Sequence, residues 1–202
     1  MKPIKLIGLA FAAVFAISVV AATSASAAEF LGKVGEAITG SGGTQTFTIF
    51  DPEAHKVKCK SESVSGEVTE AKSATSKEAV KFEKCEGFGG TVKVETGNFV
   101  FKAPAGAYTE PGTVEVEKAI LVENVAAKCK ITVTTTGNSA LSEIKYGALM
   151  EGVEVTPKVT GISYTVAAGG SVACGTAGSY SNGEYSGEIT TVNKGSANMM
   201  VL

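Results

Sequence analysis

His55-Lys56-Val57-Lys58-Cys59-Lys60-Ser61 alternates strictly, with Val57 and Cys59 on one face and Lys56, Lys58 and Lys60 on the other. Only an extended chain, whose successive side chains point to opposite sides, sorts such a stretch into a dry face and a wet one. The same period recurs down the chain. Val80 and Phe82 alternate with Lys81 and Glu83 ahead of Cys85, Val114 and Val116 with Glu115 and Glu117, and Ile131, Val133 and Thr135 follow Cys129. Val153-Glu154-Val155, Ile162-Ser163-Tyr164-Thr165-Val166 and Ile189-Thr190-Thr191-Val192 repeat it. Thr91 to Glu95, a Gly97-Asn98 turn and Phe99-Val100-Phe101 predict a hairpin. Gly-rich breaks stand at Gly87-Phe88-Gly89-Gly90, Gly169-Gly170 and Asn182-Gly183. Many short strands with regular turns mean a sandwich or a barrel, and we expect an all-β, antiparallel β-sandwich, immunoglobulin-like or related, over residues 44–202. Glu70 to Glu83, rich in Ala, Lys and Glu, permits a helical turn or two, against which Val80 and Phe82 argue near its end. Residues 28–43, glycine-rich, predict a flexible N-terminal arm or a first edge strand.

The chain opens with an export signal. Lys2 and Lys5 make a short basic region, every residue from Leu6 to Ala22 is apolar, Gly or Ser, and Ala25-Ser26-Ala27 supplies small residues at both positions a signal peptidase reads. A leader over 1–27, cut between Ala27 and Ala28, follows. The rival is an uncleaved anchor, since the apolar run approaches the roughly 17 to 25 residues that span a bilayer; the small residues near its end favour cleavage. There is no twin arginine, no cysteine before Cys59 to carry a lipid, and no second apolar run, and the tail Asn198-Met199-Met200-Val201-Leu202 is too short to anchor anything. A secreted, extracellular product without a stable membrane anchor is expected.

Composition narrows the chemistry. The 18 basic residues are all lysines, and losing Lys2 and Lys5 against 20 acids leaves the mature chain at −4. Phosphate and base recognition leans on the arginine fork, and no lysine-rich stripe stands in the sequence, so no nucleic-acid partner is expected. Asp51 is the single aspartate, which removes calcium loops built on repeated short carboxylates. Without tryptophan the strongest platform for sugars and bases is missing, although five tyrosines remain. Four cysteines in an exported chain predict two disulfides, and Cys59–Cys85 with Cys129–Cys174 is the favoured of three pairings, because sequence neighbours most often lie on adjacent strands. In the chain-entropy model each closure contributes about 3 to 4 kcal/mol.

Ser65-Gly66-Glu67-Val68-Thr69 echoes Ser186-Gly187-Glu188-Ile189-Thr190, and Lys58-Cys59-Lys60 echoes Lys128-Cys129-Lys130. Two related halves, about 44–118 and 119–202, each clipped by one disulfide, are one reading; chance in a Gly/Ser/Thr/Glu-rich chain is the other. Val57-Lys58-Cys59, Gly66-Glu67-Val68-Thr69 and Val80-Lys81-Phe82-Glu83-Lys84-Cys85 resemble a group of uncharacterised exported β-rich proteins of high-GC Gram-positive soil bacteria. So do Val159-Thr160-Gly161-Ile162-Ser163-Tyr164-Thr165, Cys174 and Asn182-Gly183-Glu184-Tyr185-Ser186-Gly187. The resemblance covers most of the mature chain; it implies secretion and β structure and brings no activity with it. Gly183-Glu184-Tyr185 before a final strand is also similar to the tyrosine corner of immunoglobulin-like sandwiches, with Gly187 standing where antibody domains have cysteine.

Catalytic constellations are incomplete in the sequence. His55 is the one histidine, Asp51 precedes it across a Pro52 turn, and there is no Gly-x-Ser-x-Gly elbow for a hydrolytic triad. One histidine and four paired cysteines leave no zinc ligand set, and no Cys-x-x-Cys serves redox chemistry. No cofactor is expected. Glycoside hydrolysis needs only two carboxylates roughly 5 to 9.5 Å apart, and Glu115 with Glu117 share a strand face, as a solvated sheet also would. A sugar site would draw on Tyr108, Tyr146, Tyr164, Tyr180 and Tyr185, with Tyr180 and Tyr185 bracketing Asn182-Gly183 as an exposed aromatic pair or Tyr185 placed in the core. The first expectation is therefore a non-catalytic exported protein for extracellular or cell-surface interaction or structure, with a cell-surface protein or glycan as partner. A glycan- or small-ligand-binding module using Tyr180 and Tyr185 is the alternative, a glutamate-based hydrolase the remote one. Ser/Thr-rich edge strands would permit strand-to-strand assembly.

Overall fold

A computed structural model of the protein describes residues 27–51, 53–106, 110–137, 141–149, 152–170, 172–188, 190–192 and 200–201. The leader expected over 1–27 lies outside the described residues except for Ala27, as does Tyr108. Nearly everything described is strand, and the all-β antiparallel class expected from the alternation is what the chain adopts. The strands are β1 (Phe30–Leu31), β2 (Ala37–Gly42), β3 (Gln45–Asp51), β4 (Glu53–Glu67), β5 (Lys72–Ser73) and β6 (Thr75–Gly87). They continue with β7 (Gly90–Val94), β8 (Gly97–Lys102), β9 (Gly112–Val116), β10 (Ile120–Asn124) and β11 (Cys129–Val133). The last are β12 (Leu141–Leu149), β13 (Gly152–Val166), β14 (Gly178–Gly187), β15 (Thr190–Val192) and β16 (Met200–Val201).

Successive runs pair antiparallel with the next: β2–β3 with β4, β4 with β6, and β6 with β7–β8. Then β7–β8 meets β10 and β9, and these meet β11 and β12. Finally β11 and β12 lie on β13, β13 lies on β14 and β15, and β14–β15 returns to β3 and β2. The two layers expected to face each other across a core are thus joined at both margins into an up-and-down barrel of eight antiparallel runs, a width whose interior side chains just fill. Closure also pairs the edges that assembly would have used, among the described strands of this sheet.

Each long run changes phase once near mid-height. In β4 the buried residues are Val57 and Cys59, then Glu62 and Val64; in β6 they are Ser76, Glu78 and Val80, then Cys85. Lys84 takes a φ of 53° at that slip, and the β13–β14 register shifts between Val159 and Ile162. Such bulges bend strands of 15 residues, which is how long strands coil around a narrow barrel. The slips divide the interior into two apolar clusters. One holds Ile49, Val57, Val122, Ile131 and Tyr164; the other holds Ile38, Val114, Ile144, Val153 and Val192. Each fully buried Val or Ile contributes about 1.5 to 3 kcal/mol of transfer free energy.

Several local expectations give way. The Gly97-Asn98 hairpin does not form, because β7 and β8 lie one after the other on β6. Gly97 is buried within a strand, where a Cβ would meet the Phe99 ring at 2.3 Å, so it serves close approach and not reversal. The hairpin turn is Gly87-Phe88-Gly89-Gly90, with Phe88 and Gly89 both at positive φ. Asn182-Gly183 is likewise no break: Gly183 pairs with Ile162 inside β14, at the bulge. Glu70 to Glu83 contains β5 and most of β6, not a helical turn, since cross-strand pairing with β4 and β8 outweighs its Ala, Lys and Glu content. Residues 28–43 form β1 and β2, of which β2 is paired on both sides by β4 and β15. Phe30 and Ile38 are buried in the second cluster, and β1, β5 and β16 form a small sheet of their own.

Both disulfides are those expected. Cys59–Cys85 joins directly opposed residues of β4 and β6, and Cys129–Cys174 ties the start of β11 to a short 3-10 turn, Val172–Cys174, after β13. Such bonds belong to an oxidising compartment. Among the described residues no helix is long and apolar enough to cross a membrane. The barrel wall is polar outside and apolar within, the reverse of a membrane-spanning barrel: Lys56, Lys58, Ser63 and Ser65 are exposed while Val57 and Val64 are buried.

Candidate functional site

The densest chemistry lies inside the barrel, just past the phase slips. β4 brings Glu62 inward, β6 brings Ser76 and Glu78, β3 brings Gln45, β14 brings Tyr185 and β15 brings Thr190. All but Tyr185 are buried, and Tyr185 is half-buried with its hydroxyl turned to the interior. Thr190 donates a short hydrogen bond to Glu62 Oε1, and Ser76 donates to Glu78 Oε1 at 2.9 Å. The Tyr185 hydroxyl lies 2.8 Å from Gln45 Oε1 and 3.0 Å from Glu62 Oε2. One phenolic proton is shared between these two acceptors. Burial raises the Glu62 pKa, against the lowering by the hydrogen bonds from Thr190 and Tyr185. Burial also raises Glu78, to about 7, with Ser76 lowering and Glu62 raising it; Tyr185 is pushed well above the phenol range by burial and by Glu62.

Glycine makes room for this cluster. A Cβ on Gly187 would lie 1.5 Å from Gln45 Oε1, so the residue two places after Tyr185 is held small by the side chain packed over it. The tyrosine-corner likeness stops here as well, since the Tyr185 hydroxyl bonds side chains of β3 and β4 where a corner bonds the upstream backbone. Tyr185→Phe should lower stability by about 1 to 3 kcal/mol, because it leaves buried Gln45 and Glu62 short of a partner. Urea denaturation at neutral pH measures it, and an unchanged midpoint would show the hydroxyl to be redundant.

Two small spaces adjoin these residues. One of about 40 Å³ touches Glu62, Glu78, Tyr185 and Thr190; the other, about 80 Å³ and apolar, lies among Phe47, Phe82, Val116 and Ile162, with Gln45 and Tyr185 at its polar end. Both fall well below the roughly 300 Å³ at which small-molecule pockets begin.

The residues singled out in the sequence are scattered. Tyr180 is half-buried, stacked on buried Tyr164 with centroids 5.2 Å apart, and donates to Thr176 O. Tyr185 meets Phe82 edge-on, so Tyr180 and Tyr185 do not form an exposed pair. The side chain of Tyr146 lies outside the described ones. Glu115 and Glu117 point outward into ion pairs with Lys102 and Lys77. His55 sits near Phe88, with ring centroids 6.2 Å apart. Among the described residues no group of three or more His, Cys, Asp or Glu is placed to hold a metal ion. Glu62 and Glu78 were missed, although each shares strand parity with an apolar neighbour, Val64 and Val80. No family model, curated protein or solved structure matches the chain.

Proposed function

We propose that this chain is an exported barrel that works outside the cell through its surface, as an interaction or structural protein and not as a catalyst. One observation carries that reading: the carboxyls with shifted pKa values, Glu62 and Glu78, are tied to Thr190, Tyr185 and Ser76 inside the wall, beside only about 40 Å³ of free space. A sugar ring does not fit there. Contact is left to the outer face, whose lysines, glutamates, serines and threonines suit a cell-surface protein or glycan. A substrate panel tests it: specific turnover of a glycoside, peptide or ester, abolished by Glu62→Gln or Glu78→Gln, would overturn the proposal.

Support for export comes from the leader, the disulfides and the fit of Ala28. The Ala28 nitrogen donates to Pro104 O at 3.2 Å and Gly106 O at 3.0 Å, and Ala28 is 1% exposed while Ala27 lies outside. Cleavage between them would place the new terminal ammonium against two carbonyls. N-terminal sequencing of material from the culture medium should read Ala28-Glu29-Phe30, and intact mass should show four hydrogens fewer than the reduced chain. Membrane-bound material retaining Met1 would refute it.

A further inference from the structure

An open groove lies on the outer wall where β11, β13 and β14 run side by side. The register places Thr165 of β13 opposite Thr132 of β11 on one side and Ser179 of β14 on the other. Past β11 the chain stays on the sheet: Thr134 N donates to Ser163 O at 3.1 Å, and the Thr134 hydroxyl lies 3.3 Å from the same oxygen. Gly137, at a φ of 82°, then passes so close to β13 that a Cβ there would lie 2.5 Å from Ser163 Oγ. Thr134 and Thr136 thus wall one side of the groove, Ser179 and Ser181 the other, with Ser163 and Thr165 between them. Its volume is about 440 Å³, within the roughly 300 to 1,000 Å³ of ligand sites.

Those six hydroxyls line the groove, and among the described residues no charged side chain does. Other surface depressions differ: Lys56, Lys58 and Glu86 line one, and Glu67, Glu70 and Lys77 another. The hydroxyls of Thr136, Thr165, Ser179 and Ser181 have no protein partner among the described residues. Each hydroxyl both donates and accepts, so a ligand that does the same completes the set. An anion would find no cation here and a cation no carboxylate. An apolar ligand would take water from these hydroxyls and leave them unbonded. Beneath them Tyr180 stacks on Tyr164 and donates to Thr176 O, which ties β14 to β13. Short side chains on such a support lose little freedom when they bond a ligand. Neighbouring strands stand about 4.8 Å apart and alternate residues about 7 Å, a spacing on the scale of the substituents of one sugar ring. We infer that this groove binds a neutral polysaccharide, with Thr165, Ser179 and Ser181 bonding the ring hydroxyls and Thr136 closing the opposite side.

The inference rests on the proposed surface role, and the two fail separately: specific turnover sinks that role, whereas binding is read on the purified barrel without turnover. The probes are immobilised laminarin, dextran, mannan and galactan, with polygalacturonate and chitosan as charged comparisons. Wild type should be retained by at least one neutral polymer, and equally at low and high salt, because no exposed charge pair is involved. Thr165→Val with Ser179→Ala should weaken that retention about tenfold. Ser63→Ala with Ser65→Ala, which removes exposed hydroxyls of β4 away from the groove, should leave it unchanged. If the first pair lowers the melting temperature, Ser179→Ala with Ser181→Ala, both exposed, gives the same comparison. Retention by none of the neutral polymers, retention by a charged polymer alone, or equal losses in the groove and β4 pairs would each overturn the inference.

Discussion

Glu78→Gln should stabilise the barrel by about 3 kcal/mol at pH 8 and change it little at pH 4. Buried in β6 beside Ser76, with Glu62 of β4 the nearby charge and Tyr185 of β14 on the far side of Glu62, Glu78 has its carboxyl pKa raised from 4.5 to about 7. A raised carboxyl pKa means that the folded state binds the proton more tightly than the unfolded one. The stability this confers is fully present below pH 4.5, is lost as pH rises toward about 7, and is absent above it. Glutamine matches the protonated form in shape and still accepts from Ser76, so it keeps the low-pH stability at every pH. Glu62 is raised in the same direction and adds to the wild-type slope. Urea denaturation of wild type and variant at pH 4 and pH 8 decides it; an equal difference at both values would place the ionised carboxylate in a solvated setting.

Replacing Cys129 and Cys174 together by alanine should cost about 4 kcal/mol, somewhat more than the same change at Cys59 and Cys85. The physical reason is loop length. The first bond closes 45 residues and the second 26, and closure of the longer loop removes more freedom from the unfolded chain. The native contexts widen the gap. Cys59 and Cys85 face each other within a ladder that continues on both sides, whereas Cys174 sits on a 3-10 turn outside any ladder, with its sulfur 3.6 Å from Ala127 O. Paired melting curves of the two double variants test the ranking, and a larger loss at Cys59 and Cys85 would sink the loop argument.

Strand identity and cysteine pairing were legible because alternation is local: Val57 and Cys59 against three lysines need no knowledge of the partner strand. What stayed hidden depends on register. The phase slips looked like small lapses in alternation, yet the one between Cys59 and Glu62 turns a glutamate inward beneath a run of outward lysines. Gly97 and Asn182-Gly183 carry turn chemistry by composition, and only the close approach of Phe99 and the bulge facing Ile162 show why they are extended. Closure of the wall was equally remote, since it needs residues 178–187 to find residues 45–48.

That seam has a consequence for how the chain matures. Strand β3 has one permanent neighbour as soon as β4 emerges and must wait for β14, more than 130 positions later, before its other side is covered. Until then the nascent chain is an open ribbon with two sticky margins. A synthetic copy of β14 would compete with the authentic one for the vacant margin.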